Sequence, residues 1–98
     1  MTGIGAAGIP WYRREDWDAI KRIFGDPDDL HDTFDEWRKA AGNLESNLRR
    51  DGHVVERAYI DPETFPDWCR SRGLNIDARA RSQFASEFVS EKHGRLTK

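Results

Sequence analysis

The sequence predicts an α+β domain, predominantly helical, with four helices and one short strand. Apolar residues recur at spacings of three and four through several stretches, as on the buried face of a helix. One segment, HVVERAYI from His53 to Ile60, breaks that period and is rich in β-branched and aromatic residues. Glycine and proline stand between the periodic stretches, where turns belong.

Residues 1–9 hold Gly3, Gly5 and Gly8 among small residues and read as a flexible tail. Residues 10–92 read as a single compact domain, and residues 93–98 as a frayed C-terminus. Pro10, Trp11 and Tyr12 lead into the domain as extended chain. The first helix runs from Arg13 to Phe24, with Trp17, Ile20 and Phe24 on one face and Gly25 at its C-terminal cap. Asp26-Pro27-Asp28-Asp29 is a turn.

The second helix is the clearest element. Thr33 followed by Glu36 is a capping box. Phe34, Trp37, Ala41, Leu44 and Leu48 then fall on a stripe about 80° wide. Arg49, Arg50 and Gly52 are residues that end helices.

The strand, residues 53–60, cannot stand alone, because a lone strand leaves a row of unpaired N–H and C=O groups. It pairs either with the extended N-terminal segment near residues 8–12 or with the same strand of a second molecule, which would make a homodimer. The third helix, within 61–72, has two candidate starts, Asp61-Pro62 and Thr64 with Pro66 in the first turn. Gly73 ends it. The fourth helix, capped by Asn75 or Asp77, runs to about Lys92, with Ile76, Ala80, Phe84 and Phe88 facing inward.

PWY, then an acidic helix, then VxxxxIDPExFxxWCRxRGLxxxxxARxxFA, resembles a pattern of short, uncharacterised bacterial proteins. The resemblance covers residues 10 to about 89. It implies a compact bacterial domain, with no activity or cofactor attached.

Composition narrows the functional classes. Ninety-eight residues carry a net charge of −2, so no general attraction to polyanions follows. The single cysteine, Cys69, excludes an intrachain disulfide and suits a reducing compartment. No apolar run reaches the roughly 18 residues that span a membrane. The start, MTGIGAAGIP, lacks the basic and apolar regions of a secretion signal, so the expected location is cytoplasmic.

The histidines at 31, 53 and 93 and the thiol at 69 have no metal-ligand spacing, and no cofactor is expected. Asp26, Asp28 and Asp32 begin like a calcium loop, but His31 replaces its glycine and Trp37 its bidentate glutamate. No residue reads as catalytic. An enzymatic reading would centre on Cys69 or His31.

Arg70, Arg72, Arg79 and Arg81 surround a Gly73-Leu74-Asn75 corner like that of a helix-turn-helix, which gives the alternative reading of a nucleic-acid-binding regulator. Helical geometry opposes it, since Arg79 and Arg81 lie about 160° apart around the axis. The favoured expectation is a small non-catalytic protein that works by protein–protein interaction, with itself or another protein. Its anchors are Trp11, Tyr12, Trp17, Trp37 and Tyr59, residue types that carry interfaces.

Overall fold

The computed structural model describes residues 5–24 and 30–93. The Gly25 cap, the turn at 26–29 and residues 94–98 of the C-terminus lie outside them. The domain is α+β and mostly helical. Its order is β1 (Ala6–Trp11), a 3-10 turn at Arg14–Asp16, α1 (Trp17–Ile23), α2 (Phe34–Arg50), β2 (Val54–Tyr59), α3 (Phe65–Ser71) and α4 (Ala78–His93). β1 and β2 run parallel, with Ala6 opposite Val54 and Trp11 opposite Tyr59. A parallel pair needs a long crossover, and α1 and α2 supply it. β1 includes residues 6–9, so the stretch read as flexible tail is strand from Ala6 onward. Its small side chains have a packing role that composition alone does not reveal.

Local chemistry sets the helix ends. The Thr33 hydroxyl accepts from the Glu36 N–H at 3.2 Å, and the Glu36 carboxylate accepts from the Thr33 N–H at 3.3 Å. This is the capping box expected at the start of α2. Of the two starts open to the third helix, Thr64 occupies the N-cap, and Pro66 falls in the first turn. Asp77 caps α4, its carboxylate accepting from the Ala80 N–H at 3.1 Å.

Both α2 and α3 close on a glycine with positive φ, Gly52 at 95° and Gly73 at 68°. Around Gly73, its N–H donates to the Arg70 carbonyl at 3.1 Å and the Leu74 N–H to the Cys69 carbonyl at 2.9 Å. The same bond pattern surrounds Gly52, from Gly52 to Arg49 and from His53 to Leu48. Each uses carbonyls that the last helical turn leaves free.

The two long helices cover opposite faces of the sheet. Side chains alternate along a strand. On one face, Gly8 meets α4 so closely that a Cβ there would lie 2.4 Å from the Ala85 carbonyl oxygen and 2.6 Å from a Val89 methyl. On the same face Glu56 reaches Lys92 and His93 at the end of α4. On the other face Trp11 meets Trp37 of α2, and Arg57 meets Glu45.

The inward face of α4 keeps the expected Ala80 but otherwise differs from the expected one. Ala80, Arg81, Ala85 and Val89 are its buried residues, while Phe84 and Phe88 are only half-buried. The helix turns a small-residue stripe to the sheet because Gly8 brings the backbones together. Phe84 instead packs edge-on to Phe65 and Trp68 of α3. Among the described residues, no helix is long and apolar enough to cross a membrane.

Candidate functional site

Four of the five expected interface anchors are inside the domain. Trp11 and Tyr12 are 3% exposed, Trp17 5% and Trp37 8%. They form a continuous ring network, with Trp37 in contact with Trp11, Tyr12, Trp17 and Phe34. Buried rings gain apolar transfer and edge-to-face energy together, so a small core absorbs them ahead of its surface. They are core residues, and the expected five-residue aromatic surface does not exist in this fold. The network carries an internal cost, since the Trp17 indole N–H is buried with no hydrogen-bond partner among the described residues. Tyr59 alone stays outside, at 42% exposure.

The four arginines of the helix corner separate. Arg70 pairs with Asp67 on its own helix. Arg72 reaches Glu87 at 2.9 and 3.1 Å and lies 4.3 Å from the centre of the Trp68 ring. Its donors hold the Glu87 carboxyl below the usual carboxylate range. Arg81 is buried, with its guanidinium 4.6 Å from the centre of the Phe24 ring. Arg79 is exposed and, with Arg70, Ile23, Leu74, Asn75 and Asp77, lines a shallow concavity of about 780 Å³. Two arginines share this concavity and the other two are committed elsewhere, so no four-arginine surface forms.

Cys69 is buried beneath the same corner at 1% exposure, and burial pushes its thiol pKa upward. A thiolate nucleophile needs the opposite environment. His31 is exposed at the rim of a second, smaller concavity beside Trp37 and Leu44.

The most organised polar arrangement joins residues that the sequence reading passed over. Glu45 of α2 is 4% exposed and accepts two hydrogen bonds of 2.8 Å from Arg57 of β2. Arg49 approaches the same carboxylate at 3.3 Å. The Arg57 bonds hold the Glu45 carboxyl below the usual carboxylate range, and Glu45 raises Arg57 still further above its ordinary value. The Arg57 guanidinium lies 4.0 Å from the centre of the Trp11 ring, with Arg38 4.9 Å away. Arg13 sits 4.8 Å from the centre of the Tyr59 ring.

One local signal was present. Arg38, Gly42, Glu45 and Arg49 fall at spacings of four, three and four, a polar stripe beside the apolar one on α2.

This arrangement ties β2 to α2 through the face of the sheet, and the backbone groups of β2 divide between its two edges. The Val54 N–H donates to the Gly5 carbonyl at 3.0 Å, and the Ile60 N–H to the Trp11 carbonyl at 2.9 Å. Even-numbered residues of β2 therefore point their backbone groups at β1, and Val55, Arg57 and Tyr59 point theirs outward. Among the described residues, no backbone hydrogen bond from another element reaches those outward groups. Val54 at 47% and Tyr59 at 42% are large exposed apolar residues at the two ends of the strand. A fixed strand with an open backbone row and exposed side chains at its ends can accept a further strand.

No family model, curated protein or solved structure matches the chain.

Proposed function

We propose that this chain is a non-catalytic protein-interaction domain that docks its partner along the outer edge of β2. The observation that carries the reading is the outward backbone row of Val55, Arg57 and Tyr59, bounded by the exposed Val54 and Tyr59 side chains. Main-chain bonds along such a row supply affinity, and alternate side chains supply selectivity. The burial of the only thiol and the dispersal of the corner arginines favour recognition over redox chemistry or nucleic-acid readout. The PWY…ARxxFA resemblance supports a bacterial source, and the single unpaired cysteine suits the cytoplasm.

A comparative capture experiment tests this function. Immobilised wild type and a Val54→Glu/Tyr59→Glu variant, shown by circular dichroism to be folded, are exposed to the same extract. A protein held by wild type and released by the variant is the expected result. Identical retention by both removes the β2 edge as the docking site.

A further inference from the structure

We infer that the segment received by the β2 edge is an extended acidic peptide, with Asp or Glu at alternate positions, whose carboxylates meet Arg38 and Arg49 of α2. This rests on the docking role proposed for the same edge and names the chemistry of its occupant.

The placement follows from the helix. Glu45 bonds Arg57 of β2, whereas Leu44 and Ala40 line a concavity with Ile9 and Pro10 of β1. At about 100° per residue, Arg38 and Arg49 lie about 20° and 40° beyond Glu45, on the side away from Leu44. They stand on the flank of α2 that borders β2, beside the path of a strand added to its outward backbone row. Gly42 keeps room on that flank, since a Cβ there would lie 2.8 Å from the Arg38 Nη1.

The cluster has cations in excess. The guanidinium groups of Arg38, Arg49 and Arg57 surround one carboxylate, three positive charges against one negative. Arg57 uses both Glu45 oxygens. Arg49 only approaches one of them, at 3.3 Å, and its side chain is 58% exposed. Arg38 is exposed and rests on the Trp11 ring, a contact that uses the face of a guanidinium and not its N–H edge. Asp35, three residues before Arg38, is bonded by Arg14. Among the described residues, Arg38 therefore has no hydrogen-bond acceptor, and Arg49 has only its approach to Glu45.

The spacing suits a strand. Arg38 and Arg49 are about 16 Å apart along α2, the length of about five residues of extended chain. Alternate side chains of an added strand face α2, so acids at every second position come within reach of both arginines. A nucleic acid would answer the charge, but it has no peptide groups to pair with the outward row of Val55, Arg57 and Tyr59.

NMR titration of the ¹⁵N-labelled full chain at low salt tests the inference. The probes are an acetylated octapeptide alternating threonine with glutamate, the same peptide with glutamine for glutamate, and a thymidine octanucleotide. The expected result is shifts at the Val55, Arg57 and Tyr59 amides, with the glutamate peptide binding about tenfold more tightly than the glutamine one. That advantage should vanish in high salt and in an Arg38→Gln/Arg49→Gln variant whose circular dichroism is unchanged. Equal affinity for the two peptides at those amides overturns the acidic partner and keeps the docking edge. No shift in β2 with either peptide also overturns it, and the capture experiment then decides the docking reading separately. Tighter binding of the oligonucleotide through the same two arginines overturns it in favour of nucleic acid.

Discussion

Glu45 of α2 and Arg57 of β2 close on each other through two 2.8 Å hydrogen bonds, and the guanidinium held there lies 4.0 Å from the centre of the Trp11 ring. One carboxylate thus ties the crossover helix to the outer strand and places a cation over the aromatic core. The position of β2, and with it the open edge, depends on this clasp as well as on apolar packing.

The two halves of the clasp are unequal in burial, with side-chain exposures of 6% for Glu45 and 35% for Arg57. Removing Arg57 leaves a buried carboxylate with only the more distant Arg49 at 3.3 Å; removing Glu45 leaves a cation that can reach solvent. Arg57→Met should therefore destabilise by about 2–3 kcal/mol and Glu45→Met by about 1 kcal/mol. Urea unfolding of both variants and the double variant checks this, with a coupling of about 1 kcal/mol or more expected from the cycle.

Gly8→Ala should cost about 2–3 kcal/mol, because the added methyl meets the Ala85 carbonyl at 2.4 Å and α4 must move. Gly5→Ala is the control, since nothing among the described residues lies within 4 Å of its Cβ position. It should leave the urea midpoint nearly unchanged.

The fold class, the capping box of α2 and the strand within 53–60 were legible because each rests on local chemistry: a reciprocal cap, a change of period, a glycine after a helix. On the buried face of α4, Ala80 was legible, but Arg81, Ala85 and Val89 were not. Its depth is set by Gly8, some 77 residues away in sequence from Ala85, and pattern reading favours phenylalanine over alanine at a core face. The aromatic residues were identified by type, but type does not distinguish a core ring from an interface ring. Glu45 and Arg57 sit on different elements, so no periodicity links them.

Acid should unfold the protein through its paired carboxylates. Arg57 holds Glu45, His93 and Lys92 hold Glu56, and Arg72 and Gln83 hold Glu87, all below the ordinary value of 4.5. A carboxylate with a depressed folded value stabilises fully above its unfolded value and loses that contribution as pH falls through the folded one. Stability should therefore decline below about pH 4.5, with a shallower decline in Glu45→Gln. Urea midpoints across the acid range measure both slopes.

Cys69 should stay unlabelled by a thiol reagent in the native protein and react on unfolding, because it is 1% exposed and its thiol is held protonated by burial. Cys69→Ser, which puts a hydroxyl into the same apolar site, should destabilise by about 1–2 kcal/mol in the same unfolding assay.

The openness of the β2 edge is tested most directly by amide hydrogen exchange, residue by residue, in a dilute sample where the chain is single. Protection should alternate along the strand: slow at Glu56, Ala58 and Ile60, whose N–H groups face β1, and fast at Val55, Arg57 and Tyr59. Equal protection of both sets at the lowest concentration would mean that the chain covers its own edge, and would contradict the docking account.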